Sequence, residues 1–324
     1  DTFTVSFPGE SIDEMDYSET VSDSINGKSH VITPTPSHFM DDLDKFIYTH
    51  DEPVSGMSVY ASYALAKITK AAGVPVILNG QGGDEIFSGY WQSYFLYLFS
   101  LMKNFELLQV LKHFSGSALP KGNELMIYQI PNIIKRYYYR SNPSTLITLT
   151  DKMKHIKSDF LNTIIKSDFQ TQRMDIIRKL FLPKYLKNDD RNTMAFSIEG
   201  RYPLLDHELI ELCLSFSSNT LYNRGWTKYP LRLGLNGLLP DNVINRKTKF
   251  GFEIPWKTWF TGELKPHILK WSTSDRPIWE YVERNSVNNL VQNTLNQKKE
   301  EKLPYHTIFR LYMFDKWLEV YKVD

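Results

Sequence analysis

The most informative part of the chain is residues 74–85, which read VPVILNGQGGDE. The first five residues are apolar, which is typical of a short strand buried in a parallel sheet. Three glycines in four positions and two carboxylates follow. Because ligands bind at the carboxyl ends of strands in open parallel sheets, the stretch predicts a phosphate-binding loop. The alternative is a tight turn in which Asp84 caps the next helix.

Strand and helix patterns alternate before this stretch. A β-prone run at residues 2–7 is followed by a polar segment with helical character and by a short strand at residues 30–32. Two helical patterns come next, and Gly73 closes the second one. This alternation predicts a doubly wound parallel sheet over residues 1–92. Strand signals then fade, so we expect residues 93–324 to form the helix-rich remainder of the same domain.

Composition and charge exclude several classes of function. The 324 residues carry 38 Lys+Arg and 37 Asp+Glu, which gives a net charge of +1. This balance argues against a nucleic-acid or anionic-membrane partner. The apolar runs are too short for a transmembrane span. The single cysteine excludes a disulfide framework and favours a reducing compartment, so we expect a cytoplasmic protein.

Two further stretches combine charged residues with special backbone positions. Residues 189–206 read DDRNTMAFSIEGRYPLLD, where alternating charged and apolar residues predict semi-buried, paired charges. Asp206 is expected to cap the helix that follows it. Residues 245–255 read NRKTKFGFEIP. Their cations belong either to a solvated face or to a fixed loop that directs a lysine at an anion.

Taken in this order, the three stretches resemble the synthetase domain of glutamine-dependent asparagine synthetases. Residues 79–90 are similar to the family's Ser-Gly-Glu-Gly-x-Asp-Glu-x-Phe-x-Gly-Tyr block. Residues 191–206 are similar to its Arg-x-x-Met-x-x-x-x-Glu-x-Arg-x-Pro-x-x-Asp block, and residues 249–252 to its Lys-x-Gly-Phe element. The resemblance covers most of residues 1–260 and implies an ATP-pyrophosphatase-type fold. β-Lactam synthetases and other amide-forming enzymes share this fold, so the family does not fix the substrate.

The resemblance implies an ATP-dependent, AMP-forming reaction. The carboxylate of aspartate, or of a related acid, would attack the α-phosphorus of ATP, and ammonia from a glutaminase domain would displace AMP. It also implies that Asp84 ligates Mg²⁺. The implied catalytic residues are Lys249, Gln81 and Glu85. The implied nucleotide-binding residues are Val5, Ser6, Asn79, Gly80, Gly82, Gly83 and Tyr90.

Three features depart from the family pattern. The family's Ser-Gly-Gly-x-Asp-Ser pyrophosphate loop does not precede the strand at residues 2–7, and the glutaminase domain is absent too. We therefore expect an N-terminally truncated fragment that is close to inactive alone. Gln81 stands where the family typically has a glutamate that accepts a proton from ammonia, which an amide cannot do. Residues 53–58 lack the arginine that enzymes strict for aspartate carry there.

Two other functions stay open on the sequence alone. One is a ligase of the same family that amidates another carboxylate in a biosynthetic pathway. The other is a truncated module that binds a nucleotide or a partner without catalysis, although the retention of Asp84 and Lys249 argues against it. The sequence leaves the oligomeric state undetermined, and a homo-oligomer is one option.

Overall fold

The computed structural model describes residues 1–114, 146–153, 168–247, 252–297 and 302–323 of the chain. The strands are β1 (Thr2–Val5), β2 (Ser29–Ile32), β3 (Val76–Leu78) and β4 (Glu199–Arg201). The helices before residue 200 are α1 (Met15–Ser24), α2 (Pro36–His50), α3 (Ser58–Ala71), α4 (Gly83–Ile86), α5 (Trp91–Lys103), α6 (Leu107–Phe114), α7 (Phe169–Asp175) and α8 (Leu182–Met194). The later helices are α9 (His207–Ser215), α10 (Ser218–Leu221), α11 (Tyr229–Gly234), α12 (Asp241–Ile244), α13 (Trp256–Thr261), α14 (Lys265–Thr273), α15 (Arg284–Gln297) and α16 (Lys302–Tyr321). Two short 3₁₀ turns lie at Pro203–Leu205 and Pro277–Glu280, and a π-helical turn at Ile176–Leu180 joins α7 to α8.

The described strands form two separate two-stranded parallel sheets. In one, β1 pairs with β2 and Thr2 lies opposite Ser29. In the other, β3 pairs with β4 and Val76 lies opposite Glu199. The alternation in the sequence predicts one doubly wound sheet. No ladder joins β1 to β3 among the described strands, so the wider sheet stays a prediction.

The strand predicted at residues 74–78 is present but is less buried than the sequence indicates. It forms the shorter β3, and the side chain of Leu78 at its end is 70% exposed. Among the described strands β3 pairs with β4 alone, so its apolar side chains keep contact with solvent. The apolar run thus predicted a strand correctly and its burial wrongly.

The sequence predicts no strand at β4. A glycine between Glu199 and Arg201 disfavours an extended ladder by intrinsic propensity. Main-chain hydrogen bonds at both ends hold β4 in place. The N–H of Glu199 donates to the carbonyl of Pro75 at 2.9 Å, and the N–H of Asn79 donates to the carbonyl of Arg201 at 2.8 Å. Tertiary pairing therefore overrides the local preference.

Most helix predictions are confirmed within the described residues. Gly73 follows α3 with φ of +75°, and Asp206 caps α9 by accepting from the N–H groups of Glu208 and Leu209. The helical pattern at residues 95–111 corresponds to α5 and α6, which are separated where Phe105 adopts φ of +61°. The helical pattern at residues 144–166 falls largely outside the described residues.

The largest core packs α2 and α3 against the C-terminal helices. Phe39 of α2 is 1% exposed, and its ring lies 5.1 Å from that of Tyr60 and 6.3 Å from that of Phe309. Each fully buried side chain of this size stabilises the fold by about 1.5–3 kcal/mol. No helix in the described parts of the chain combines the length and the apolar character needed to cross a membrane.

A buried carboxylate ties the C-terminal helices together. Asp315 of α16 is 0% exposed and accepts hydrogen bonds from the indole of Trp271 at 2.9 Å and from Arg276 Nε at 2.8 Å. It also accepts from the N–H of Ile278 at 3.2 Å. Loss of one partner of such a buried pair costs about 3–5 kcal/mol, so these contacts specify how α14 meets α16.

A buried histidine joins three helices near the site. His50 at the end of α2 is 1% exposed, and its Nε2 lies 2.9 Å from Oδ1 of Asn192 in α8. The Asn192 amide in turn donates to the carbonyl of Val59 in α3 at 3.0 Å. Because an amide oxygen only accepts, Nε2 carries the proton. Burial lowers the pKa of His50, so the folded protein holds it neutral.

We expect the free energy of unfolding to fall as the pH drops below about 6.5, the pKa of an unfolded histidine. Between this pH and the lower pKa of folded His50, the unfolded chain binds a proton that folded His50 does not. Below the folded pKa both states bind the proton, so His50 lowers the free energy of unfolding no further. His50→Gln keeps an N–H donor for Asn192 but does not titrate. Its slope of unfolding free energy against pH, from urea denaturation, should be smaller than that of the wild type. Equal slopes for the wild type and His50→Gln would contradict the assignment of His50 as neutral in the folded protein.

Candidate functional site

Residues 79–90, here called the site turn, change direction sharply after β3. Gly82 adopts φ of +92° immediately before α4. The N–H of Ile86 donates to the carbonyl of Gly82 at 2.9 Å, and the N–H of Gly89 donates to that of Asp84 at 2.8 Å. These bonds close a compact turn at the carboxyl end of β3.

The glycines of the site turn differ in what surrounds them. A Cβ on Gly82 would lie 2.3 Å from Leu205 Cδ2, and one on Gly83 would lie 3.1 Å from Leu204 Cδ1. Packing against the 3₁₀ turn at Pro203–Leu205 therefore explains both glycines without a ligand. Gly80 is exposed, and a Cβ there would meet nothing within 4 Å. Its main chain is the part of the glycine run open to a ligand.

The side chain of Asn79 is fully engaged within the protein. Its Nδ2 donates to Asp189 Oδ2 at 2.9 Å, and its Oδ1 accepts from the N–H of Gln81 at 3.1 Å. Tyr202 donates to the same Asp189 oxygen at 2.8 Å. Asp189 is 5% exposed, and its burial raises the pKa of the carboxyl while the two hydrogen bonds oppose that shift. Asn79 thus sets the shape of the turn and offers a nucleotide only its main chain.

Asp84 forms an ion pair with Lys228. Oδ1 and Nζ lie 3.0 Å apart, and the side chains of Lys228 and Asp84 are 27% and 28% exposed. Lys228 adopts φ of +53° just before α11. Gly82 occupies the N-cap position of α4 without a side-chain bond, so the alternative in which Asp84 caps the helix is wrong. A pair this exposed contributes about 1 kcal/mol or less, so either partner can exchange it for a ligand at little cost.

Glu85 and Tyr90 face the interior. Glu85 is 3% exposed and accepts a hydrogen bond from the hydroxyl of Tyr90. Burial, and next the charge of Glu85, raise the pKa of the Tyr90 hydroxyl. The Tyr90 ring packs against Phe181 with centroids 5.2 Å apart. In this geometry Glu85 and Tyr90 stabilise the site turn.

A buried arginine anchors the same turn from behind. Arg173 of α7 is 2% exposed, and its Nη2 donates to the carbonyls of Ile86 at 2.8 Å and of Cys213 at 2.5 Å. These carbonyls lie in the last turns of α4 and α9, where helix acceptors lack the usual i+4 partner. The carbonyl of Cys213 also accepts from the N–H of Phe216 at 3.2 Å. Arg173 therefore fixes α4 against α9.

Val5 is the last residue of β1, and Ser6 follows it directly. Ser6 is 3% exposed and donates to Asp13 Oδ2 at 2.9 Å. Val5 lines a pocket of about 400 Å³ together with Tyr17, Arg246 and other residues around β1. No hydrogen bond joins either residue to the site turn within the described ranges.

The predicted catalytic Lys249 lies outside the described residues, as do Phe250 and Gly251. In the described parts of the chain, no group of three or more His, Cys, Asp or Glu side chains is arranged to hold a metal ion. Asp84 remains the carboxylate that the sequence assigns to Mg²⁺.

Comparison with known proteins identifies the family. A family model described as asparagine synthase matches residues 1–319. The chain belongs to the asparagine synthase family. The match continues from β1 into α16 and so extends beyond the three motifs.

Relatives of this asparagine synthase-family chain are distant. It is 25% identical over 329 residues to asparagine synthetase 1 (glutamine-hydrolyzing) of Bacillus subtilis, covering 95% of the chain and 50% of that protein. It is 23% identical over 336 residues to asparagine synthetase 3 (glutamine-hydrolyzing) of Bacillus subtilis, covering 96% and 49%. Amidase chry2 of Gibberella zeae is 22% identical over 314 residues, with 82% and 45% covered. The chain spans about half the length of the curated relatives it matches.

Three residues outside the predicted set contact the site turn, namely Lys228, Asp189 and Arg173. Paired, semi-buried charges were expected at residues 189–206. Asp189 is buried but bonds an amide and a hydroxyl, whereas the ion pairs of Arg191 with Asp51 and of Arg201 with Glu199 are exposed. The pairing is therefore present, but the expected burial of the pairs is wrong. Neither Lys228 nor Arg173 belongs to a motif. Both reach the site turn from distant parts of the chain, so no local pattern could identify them.

Gly89→Ala should separate Asp84 from Lys228. A Cβ on Gly89 would lie 2.0 Å from Asp84 Oδ1 and 2.3 Å from Lys228 Cε, so both side chains must move. Crystal structures of the wild type and the variant should show Oδ1 and Nζ moving beyond about 4 Å, the limit of an ion pair.

The matched control is Gly234→Ala. A Cβ there meets nothing within 4 Å, and alanine inside α11 is favoured by up to about 1 kcal/mol over glycine. An intact Asp84–Lys228 pair in Gly89→Ala would overturn the packing described for the site turn.

Proposed function

We propose that this chain is the synthetase part of an ATP-dependent carbon–nitrogen ligase that releases AMP and pyrophosphate. The observation that carries the proposal is the Asp84–Lys228 pair in the site turn, which also contains the exposed Gly80. This pair brings the carboxylate proposed to ligate Mg²⁺ and the ammonium proposed to bind phosphate together after β3, and open α/β sheets bind ligands at the carboxyl ends of their strands. Membership of the asparagine synthase family supports aspartate as the default carboxylate and ammonia as the nucleophile.

The proposed arrangement of the chain follows from the same comparison. Residues 1–92 would form the nucleotide-binding portion of a doubly wound sheet, and residues 93–324 the helix-rich remainder. Relatives named as glutamine-hydrolyzing are about twice as long, which supports a longer protein in which a glutaminase supplies ammonia. We place that protein in the cytoplasm because the single cysteine favours a reducing compartment. Val5 and Ser6 would lie near the adenine of ATP.

The proposed reaction has two displacements. A carboxylate oxygen attacks the α-phosphorus of ATP, and the bond from that phosphorus to the bridging oxygen breaks, so pyrophosphate leaves. The nitrogen of ammonia then attacks the acyl carbon. The bond from that carbon to the phosphate oxygen breaks, so AMP leaves, and the nitrogen loses a proton to give the amide.

Lys228 and Lys249 would stabilise the charge that builds up on the phosphates. Negative charge moves toward the leaving pyrophosphate in the first step, and a positioned cation lowers that barrier without reorganisation. The ion pair with Asp84 keeps Lys228 oriented toward the site turn. Because that pair is weak, Lys228 can turn to a phosphate oxygen when a nucleotide binds.

The donor set fits a magnesium ion that is carried by the nucleotide. Such an ion is bound through one or two protein carboxylates and several phosphate oxygens. Asp84 offers one carboxylate whose side chain is 28% exposed. When bound, Mg²⁺ would neutralise charge on the pyrophosphate leaving group.

Gln81 would hold ammonia rather than deprotonate it. Its amide oxygen can accept a hydrogen bond from ammonia but cannot take its proton. The N–H of Gln81 bonds to Asn79, which fixes where its side chain leaves the turn. The proton would pass to water or to the released phosphate groups.

A second candidate is a ligase of the same family with a different acceptor carboxylate. Two features favour it: Gln81 in place of glutamate, and the lack of an arginine at residues 53–58. The similarity to a protein named amidase chry2 supports variety in substrates within the family. A panel of carboxylates in the exchange assay described next separates the two candidates.

In the complete protein, Lys228→Ala should reduce carboxylate-dependent exchange of labelled pyrophosphate into ATP by about 10²–10³-fold, because one fixed cation is lost from the transition state. Lys249→Ala should have an effect of the same order. Lys228→Arg keeps the charge and should retain more exchange than Lys228→Ala.

The control is Lys152→Ala, since Lys152 forms an exposed pair with Glu280 at 2.8 Å and should leave exchange unchanged. Exchange that needs aspartate supports the default substrate, and exchange that needs another acid supports the second candidate. No exchange with any carboxylate, together with nucleotide binding, would favour a non-catalytic module. Exchange at the wild-type rate in both Lys228→Ala and Lys249→Ala would refute the roles proposed for these two lysines.

A further inference from the structure

One buried histidine lies outside the site and has no part in the proposed chemistry. His113 in α6 is 4% exposed. Its ring meets the rings of Tyr94 and Tyr97 in α5 edge-on, with centroids 5.8 and 5.3 Å away. Tyr222 stacks on Tyr97 at 4.8 Å and completes the cluster. A polar ring in such surroundings is retained only if its nitrogens have partners.

The partners of His113 define its protonation state. The N–H of Gly225 donates to Nδ1 at 3.4 Å, and the hydroxyl of Tyr94 lies 3.1 Å from the same nitrogen. A main-chain N–H can only donate, so Nδ1 is an acceptor without a proton. Nε2 lies 3.2 Å from the Tyr97 hydroxyl, which itself donates to Asn219 Oδ1 at 2.6 Å. Nε2 therefore carries the proton and donates it to Tyr97.

Gly225 belongs to a tight turn that needs external support. Asn223 and Trp226 exchange main-chain hydrogen bonds of 3.1 and 2.8 Å. Between them Arg224 and Gly225 adopt φ of +45° and +84°, the pattern of a type I′ turn. A left-handed conformation costs about 1 kcal/mol or more at a residue such as Arg224, so surrounding contacts must hold it.

The turn leads directly to the cation of the site. Lys228 follows Trp226 by two residues, and it too adopts a positive φ, of +53°. After the turn, Arg232 donates to the carbonyl of Thr227 at 3.1 Å, and its guanidinium lies 4.5 Å from the centre of the Trp226 ring. The hydrogen bond from the N–H of Gly225 to Nδ1 of His113 links the turn at residues 223–226 to α6.

We propose that His113, in its neutral Nε2–H form, is a positioning residue that fixes the turn at residues 223–226 and thereby places Lys228 beside Asp84. The lone pair of Nδ1 has this role because it accepts the hydrogen bond from the N–H of Gly225. This inference rests on the proposed function, in which Lys228 binds the phosphates of ATP. Displacing a catalytic group by about 1 Å can cost up to about 10²-fold in rate, so a residue outside the site can control it.

The surroundings keep His113 in the required form. Burial, with a further contribution from the nearby charge of Lys112, lowers the pKa of the imidazole. The hydroxyls of Tyr94 and Tyr97 are the other titratable groups at the ring, and burial raises their pKa above the usual value for tyrosine. All three groups are therefore uncharged at neutral pH.

Two amide substitutions separate the two nitrogens of His113. His113→Asn places an amide oxygen near the position of Nδ1, where it can accept from Gly225. His113→Gln reaches the position of Nε2 and leaves Gly225 without an acceptor. In the complete protein, His113→Gln should lower kcat for carboxylate-dependent pyrophosphate exchange by about 10–100-fold, and His113→Asn should retain most of it. Urea denaturation of both variants controls for loss of stability.

A double-mutant cycle with Lys228→Ala tests whether His113 acts through that lysine. If it does, His113→Gln should have little further effect on exchange once Lys228 is alanine. Full additivity of the two losses would overturn the proposal and indicate a general structural role. If Lys228→Ala alone has no effect on an active enzyme, the proposed function of Lys228 fails, which is distinct from failure of the His113 assignment.

Nitrogen-15 spectra of the imidazole give a readout that does not depend on activity. The proposal predicts, at neutral pH, a proton on Nε2 and none on Nδ1 of His113. The nitrogen signals of His113 are assigned by comparison with His113→Gln, in which they are missing. A proton on Nδ1, or equal exchange rates in His113→Asn and His113→Gln at matched stability, would overturn the proposal.

Discussion

The candidate site depends on how closely the main chain of the site turn approaches its neighbours. Gly82 lies against Leu205, and Gly89 lies against the Asp84–Lys228 pair, with no room for a side chain at either place. α4 can therefore sit directly on the 3₁₀ turn and beside Lys228. Since Leu205 and Lys228 come from the helical part of the chain, the geometry of the turn forms only when that part has folded onto β3.

Two sets of contacts meet at this turn. On one side, Asp189 and Tyr202 hold Asn79, and Arg173 holds the end of α4, so the main chain is fixed by buried hydrogen bonds. On the other side, His113 and its tyrosines hold the turn that carries Lys228. The contacts on the first side involve the buried side chains of Asp189 and Arg173, whereas the ion pair between the two sides is partly exposed and weak. This combination suits a site whose cation must exchange a carboxylate for a phosphate.

The motifs predicted the strand and the turn of the candidate site but not the distant residues that contact this turn. The apolar run before residue 79 and the glycines after it predicted the strand and the turn, because both signals are local. β4 could not be predicted, since Gly200 between two charged residues disfavours a strand and pairing with β3 overrides that preference. Lys228 was missed for a related reason: its contact with Asp84 joins distant residues. Asp206 shows the opposite case, a cap predicted from one residue and its neighbours.

In the proposed reaction, the carboxylate substrate is activated when one of its oxygens forms a bond to the α-phosphorus of ATP. The most direct test supplies the complete protein with a carboxylate labelled with oxygen-18, together with ATP and ammonia, and analyses the products by mass spectrometry. We expect AMP that carries one labelled oxygen, because the bond between this oxygen and the acyl carbon breaks when ammonia attacks. Formation of ADP with label in inorganic phosphate, or of AMP without label, would contradict it.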